Sequence, residues 1–463
     1  MTVTLNPILQ RLAERRPIPV MARGILERCL NPAQLDAWFG SVAEQQYTRT
    51  LLFSAVFDLM TQVVLRQQPS VNAAWQAAVE TIGVSVTSVY NKLNGLEPAT
   101  IAGLVSFSSA HGLALIRELG ETRPALLPGI PVKVLDGNHL EGRQHRLKET
   151  RDHTAAPLPG QALVVFDPQH EVMATLFPEA DAYTEERALL GRVLETVQAG
   201  ELWIADRNFC TKRWLWELHQ RQAMGLVREH NQMRFEPLEA LRQSGRVDNG
   251  TVYEQQVRLQ PVADDVAGLV VRRIVIRLDQ PPRNGDDTLY LLTTVPADRA
   301  NACTLARLYK TRWTIEKAFL HLTTQLRCEI NTLGYPPAAL FGFAVAAVAF
   351  NSLAVVKAAL RGVHGIAAID EGVSGYYLAI EMANTADSFT AVLDPEDWSE
   401  LRTLSVTAFA EWLRTLAARA DLRKYRKHTR GPKKPAPKRV HNPRRPHVSV
   451  ARVLAKREKN RAP

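Results

Sequence analysis

Apolar residues recur at helical spacing through roughly the first 128 positions, and no run of alternating character competes with them there. Between Gln46 and Leu65 the wording YTRTLLFSAVFDLMTQVVL is helical throughout, and VNAAWQAAVETIGVSVTSVYNKL, Val71 to Leu93, predicts a helix, a break at Gly83 and a second short helix capped by Ser85 or Thr87. That pair reads equally as two packed helices joined by a glycine turn or as a helix-turn-helix presenting Ser88, Asn91 and Lys92 to DNA. At Pro131 the texture changes. The short runs VKVLD, ALVVFD, EVMATLF and LWIAD predict strands, with a helical segment from Thr184 to Ala199 before the last, which together imply a mixed α/β layer. After Asp206 a helix over Lys212 to Gln222 precedes three further strand-like runs, VYEQQVRL, LVVRRIVIRL and LYLLTTV, separated by the turn-forming DNG and PPRNGDD. From Pro296 the pattern is helical again, so a β-rich insertion, about 228 to 297, sits inside an α/β domain. The run Ala338 to Val356 is as long as a bilayer helix requires, but its alanines, Asn351 and Ser352 suit a buried core helix better, and no membrane partner is expected.

Charge sharpens this division. The net charge is +10, yet Leu422 to Pro463 holds 16 Lys or Arg against the single acid Glu458, so the tail carries about +15 and the rest about −5. Rich in Pro and poor in bulky apolar residues, the tail is expected to lack fixed structure when free; it suits phosphate neutralisation along DNA, or serves only as a solvated, solubilising end. The chain divides accordingly into a helical region 1–128, a catalytic α/β domain 129–421 and a basic tail 422–463. Cys29, Cys210, Cys303 and Cys328 show neither zinc-site pairing nor disulfide density, which points to a reducing cytoplasm. The first residues lack the apolar stretch of a secretory signal.

Two acids end apolar runs in the same manner, Asp136 in VKVLDGNH and Asp206 in LWIADRNF. Strand ends are where a side chain meets substrate while its backbone stays fixed, although an Asp after a strand also commonly begins a turn. A third acid stands in LARLYKTRWTIEKAFLHLTTQLRCEI. At about 100° of rotation per residue, Tyr309, Arg312, Glu316, Thr323 and Arg327 share one seam beside an apolar stripe of Ile315, Phe319, Leu322 and Leu326. Glu can hold a metal, Arg can fork onto phosphate oxygens and Tyr can donate or stack; a plain amphipathic helix has the same stripe. Asp167 in VVFDP is an alternative ligand, and His139, His145 and His153 follow Asp136 without the spacing of a metal motif. No glycine-rich phosphate loop is present, so ATP dependence is not indicated.

The spacing of Tyr309, Arg312 and Glu316 in YKTRWTIEKAF resembles the Tyr-Arg-Glu-Lys helix of bacterial insertion-sequence transposases of the DDE class, the insertion sequence four family. The resemblance covers about residues 130 to 360, where LDGNH, IADRNF and the strands from 250 to 296 keep the family's order. It implies a ribonuclease-H-like catalytic domain with a β-rich insertion, preceded by an α-helical DNA-binding region. It further implies a metal-binding, catalytic triad of Asp136, Asp206 and Glu316; two Mg²⁺ ions, with Mn²⁺ able to substitute; DNA contacts from Tyr309, Arg312, Arg207, Arg327 and Lys317; and a homodimer on double-stranded DNA, acting on terminal inverted repeats and target DNA. The expected reaction is cut-and-paste transposition in the cytoplasm, at the nucleoid. The alternatives are an inactive DNA-binding regulator derived from such an enzyme and a nuclease that never joins strands. Two departures bear on this. Thr323 stands where the motif has Lys, with Arg327 one turn further as a substitute, and no Trp lies between Trp216 and Trp313, so a hairpin step is not carried over.

Overall fold

In the computed structural model the described residues are 6–46, 50–120, 123–141, 147–153, 156–262, 267–280, 286–428 and 447–460, without the side chains of 385–388, 390 and 391. His145 lies outside them.

The N-terminal region is helical, and its punctuation is legible. Pro7, Pro17, Pro32 and Pro98 open helices at the position where a missing N–H costs nothing, while Asn6, Asn31, Ser70 and Ser85 each accept a backbone N–H as cap. Val71–Ala77, Val79–Ile82 and Val86–Asn94 form short helices, with Gly83 between the last two at φ 64°, a left-handed turn that glycine adopts without strain. Lys92 Nζ lies 4.8 Å from the centroid of the Phe39 ring, so this side chain is folded back onto the core instead of standing free on the helix.

Among the described residues twelve strands follow: β1 (Val132–His139), β2 (Pro157–Leu158), β3 (Gln161–Asp167), β4 (Val172–Glu179), β5 (Leu202–Ala205), β6 (Met224–Arg228), β7 (Phe235–Pro237), β8 (Arg242–Val247), β9 (Gly250–Leu259), β10 (Val270–Leu278), β11 (Thr288–Thr293) and β12 (Val448–Ser449). Ten make one mixed sheet in the order β4-β3-β1-β5-β6-β11-β10-β9-β7, with β8 also on β9. β1, β5 and β6 are parallel neighbours; β3 and β4 run antiparallel on one side, and β11 joins β6 antiparallel on the other. The β-rich run after residue 228 therefore extends the central sheet through the β6–β11 pairing. The segment predicted as a helix over Thr184 to Ala199 is shorter, a 3-10 turn Glu186–Leu189 leading into Leu190–Leu194.

The sheet separates two cores. Val134, Ile204 and Leu226 face the larger one, which the N-terminal helices share with the long helix Pro336–His364; Leu135, Val165, Trp203 and Trp214 belong to the smaller one. This alternation is the period-two signature of strands buried on both faces. Pro336–His364 passes through the larger core with its most apolar stretch fully buried, and Asn351 pairs with both the N–H and the carbonyl of Met173 at 2.8 and 3.0 Å. The helix thus covers the outer edge of β4 and satisfies edge groups that water would otherwise have to reach. The tail was expected without fixed structure, but its residues 447–460 are held: β12 pairs with β2, the helix Val450–Lys459 follows, and Ser449 and Arg452 both bond Asp181, at 2.7 and 2.6 Å.

Candidate active site

The parallel ladder aligns Leu135 with Ala205, so Asp136 and Asp206 are the next residues on adjacent strands. Each follows an alternation that places Val134 and Ile204 in the larger core, which turns both acids to that face. Asp136 is not at the end of its strand as expected. Pairing with β3 continues through Gly137, Asn138 and His139, because the backbone ladder outlasts the apolar side chains that suggested the boundary. Asp206 does close its strand. Its side chain accepts the Asn208 N–H at 2.8 Å and caps the 3-10 turn Arg207–Phe209, so it begins a turn and still stands beside Asp136.

Glu316 comes from a different layer. The helix Ala302–Tyr309 is followed by a 3-10 turn Lys310–Arg312 and then the helix Trp313–Thr324, whose apolar side, Ile315, Ala318, Phe319 and Leu322, is buried. Arg312 joins the layers: its Nη1 is 3.3 Å from Asp136 Oδ2 and its Nη2 is 2.6 Å from Glu316 Oε1. Burial pushes the Asp136 carboxyl up; Arg312 opposes this, while Asp206 and Glu186 add to it, leaving the group at about 7. Burial works against the Arg312 charge, but Tyr309, Glu316 and Asp136 outweigh it and keep the guanidinium protonated.

The remaining candidates separate into two groups. Tyr309 is buried with its hydroxyl 3.4 Å from the Ala205 carbonyl, and Arg207 is exposed beside Asp206. Together with Asp206, Arg228, Lys310, Arg312 and the exposed Trp313, these two line a cavity of about 600 Å³. Lys317 is exposed on the outer side of its helix. Arg327 corrects the reading of one continuous seam. The helix stops at Thr324, and the Arg327 guanidinium donates to the Pro69 carbonyl at 2.9 Å, tying the helix exit to the loop after Phe53–Val64. Thr323 turns its hydroxyl back to the Phe319 and Leu320 carbonyls. Asp167 lies away from the acids, with Lys133 and His170 at 3.2 and 3.0 Å; burial is outweighed by the His170 hydrogen bond and the Lys133 charge, and its carboxyl is held down at about 2. His139 and His153 are exposed.

One acid escaped the sequence reading. Glu186 accepts from Asn208 Nδ2 at 2.6 Å, and burial, with Asp206 adding, raises its carboxyl. Only its distance from the motifs hid it, since TEER has no spacing that distinguishes a site residue from a solvated turn.

The donor set is all carboxylate oxygen, which suits Mg²⁺ or Mn²⁺. Among the described residues no three His, Cys, Asp or Glu side chains gather tightly enough to hold one ion, and Glu316 is ion-paired with Arg312. The adjacent pair Asp136 and Asp206, two carboxylates on neighbouring strands, fits a divalent ion in kind.

No curated protein matches the chain. Among solved structures, the chain is similar over 95% of its length, and 91% of the other's, to one described as the cryo-EM structure of piggyBac transposase synaptic complex with hairpin DNA, at 11% identity and a TM-score of 0.38. Residues 128–349, the stretch that holds Asp136, Asp206 and Glu316, match the family model described as the transposase DDE domain.

Proposed function

We propose that this protein is a DDE transposase of ribonuclease-H-like fold that cleaves DNA at transposon ends and joins the released 3′ hydroxyl to target DNA. The observation that carries the proposal is the meeting of Asp136 and Asp206 on adjacent parallel strands, with Glu316 linked to Asp136 through Arg312. The strand order β4-β3-β1-β5-β6, antiparallel on one side of β1 and parallel on the other, supports the fold assignment, and β7–β11 supply the β-rich insertion.

Phosphodiesters resist attack because the backbone is anionic and the leaving alkoxide is poor. Asp136, Asp206 and Glu316 would hold two divalent ions, Mg²⁺ or Mn²⁺, which activate the attacking oxygen and stabilise the leaving one. The protein's own groups do the rest. Arg207, Arg228 and Lys310 bring positive charge to the cavity beside Asp206 and hold phosphate oxygens of the strand to be cut. Arg312 balances the acids in the free protein and turns to phosphate when DNA enters. Tyr309, fixed against Ala205, sets the wall along which the scissile strand lies. Lys317 and the basic residues of 422–463 add contacts to the duplex, and two copies act together on paired ends.

Incubation of labelled duplexes carrying the element's terminal repeats with Mg²⁺, parent beside Asp136→Ala, tests this. Metal-dependent nicking and joining by the parent, lost in the variant, is the expected result. Nicking without joining makes the protein a nuclease, and tight binding without nicking in either protein makes it a regulator.

A further inference from the structure

Glu186 stands behind the acids and not among them. Gly137 follows Asp136 on β1 and so points to the opposite face of the sheet, and it is there that the Glu186 carboxylate lies: a Cβ at position 137 would come within 1.8 Å of Glu186 Oε1. The neighbours of Glu186 in its 3-10 turn and the helix after it, Leu189, Leu190 and Val193, belong to the smaller core on that same face. From this position Glu186 Oε2 accepts from Asn208 Nδ2 at 2.6 Å, and the Arg187 guanidinium donates to the Asn208 carbonyl. Asn208 in turn gives its backbone N–H to Asp206 Oδ1 at 2.8 Å. Both ends of Asn208 are therefore gripped by the Glu186–Arg187 pair, and the N–H that orients the Asp206 carboxylate belongs to the gripped residue.

We infer that Glu186 is a positioning residue for Asp206, acting through Asn208, and that glycine is required at position 137 so that the Glu186 carboxylate can lie against β1. The inference rests on the proposed role of Asp206 as a metal ligand. A two-residue turn after a strand end has little to fix it, and a carboxylate that must hold an ion cannot swing; outer groups that orient a ligand typically change metal affinity or activity about 10- to 100-fold when removed. Gln at 186 keeps both the shape and an oxygen for Asn208 Nδ2, whereas Ala keeps neither. The hydrogen bond, and not the charge, is what Asp206 requires.

The test measures Mn²⁺ affinity from the paramagnetic resonance signal of the free ion, together with kcat and KM for nicking of a terminal-repeat duplex, in the full chain. Glu186→Ala and Asn208→Ala should each weaken Mn²⁺ binding and lower kcat about 10- to 100-fold with KM for DNA unchanged. The double variant should be no worse than either single one, since both cut the same link. Glu186→Gln should stay within about threefold of the parent, and Gly137→Ala should resemble Glu186→Ala. Equal loss in Glu186→Gln and Glu186→Ala overturns the inference, because charge would then be the operative property. So does a lowered Tm with Mn²⁺ affinity and kcat intact, which marks a purely structural contact. Asp206→Ala separates the two levels: loss of Mn²⁺ binding there but not in Glu186→Ala refutes the positioning role alone, while retention of full Mn²⁺ affinity in Asp206→Ala refutes the metal-ligand reading and this inference with it.

Discussion

Two groups of acids in this molecule are built on opposite principles. Glu171, at the turn between β3 and β4, meets Arg123, Lys357 and Arg361 within 2.5 to 3.1 Å, and Asp370 shares Arg123 and Arg361 at 2.7 and 2.6 Å. Three cations answer two carboxylates there, so that although burial disfavours its charge, Glu171 is held far below the ordinary carboxylate range. Around Asp136 the balance is reversed. Asp136 and Glu316 share Arg312, while burial, with Asp206 and Glu186 adding to it, pushes Asp136 up to about 7. The first group ties the loop after the N-terminal helices and the β3–β4 turn to Pro336–His364 and the helix Ile366–Gly372; it is a fastening that the fold completes by itself. The second is left with unanswered negative charge, the condition in which a site is ready for cations and an anionic backbone and pays for it in stability.

This contrast can be broken in four ways, from the largest expected effect to the smallest. Asp136→Ala should lower metal-dependent nicking by about 1,000-fold or more while leaving thermal unfolding near that of the parent, since an ion site loses its chemistry with its ligand. Nicking that survives the substitution would remove Asp136 from the reaction. Glu171→Ala should do the reverse: it takes one of two carboxylates from the buried Arg361 and an ion pair from Lys357, costs about 3 kcal/mol in denaturant unfolding, and leaves kcat per folded molecule unchanged.

The third way is pH. Folding raises the Asp136 carboxyl from its ordinary 3.8 to about 7, so the folded state keeps a proton that the unfolded chain releases. In metal-free protein that contribution is fully present below about pH 4 and is lost as pH rises towards 7; Asp136→Asn should flatten this fall and add about 2 kcal/mol at pH 8. Glu171 has the opposite sign. Its folded value is lowered from 4.5, so its contribution is present above that pH and declines in acid, and Glu171→Gln should abolish the acid-side decline. Urea titrations from pH 2 to 8 in a chelator read both, and parallel behaviour of the two groups would erase the distinction. The smallest effect concerns Thr323, whose hydroxyl is bonded back to its own helix. Thr323→Lys should tighten duplex binding by about fivefold and steepen its salt dependence by about 0.9 in log–log slope, as one added phosphate contact would. An unchanged slope in a filter-binding series would place this position off the DNA.

How much of this was legible in the sequence depended on whether the cause was local. Proline and Asn or Ser at helix starts, the strand runs between 130 and 295, and the buried stripe of Ile315, Phe319 and Leu322 all express short-range periodicity, and all stand in the structure. Asp206 was found because a turn truly begins there, whereas the boundary at Asp136 was misplaced because β3, 22 residues or more along the chain, holds β1 extended to His139. The single seam from Tyr309 to Arg327 failed for a related reason. A 3-10 turn at Lys310–Arg312 resets the rotation, and Pro69 captures Arg327 after the helix has ended. Order in 447–460 and the role of Glu186 depend on partners far off in sequence, Asp181 for the tail and Gly137 with Asn208 for the acid, and no pattern within either segment announces them.

The most direct measurement is an anomalous-difference map from crystals of the metal-free protein soaked in Mn²⁺. The account predicts density between Asp136 and Asp206, with Glu316 drawn off Arg312 to complete the coordination. Mn²⁺ bound elsewhere, or a map without density at this pair while Arg312 still bridges Asp136 and Glu316, would contradict it.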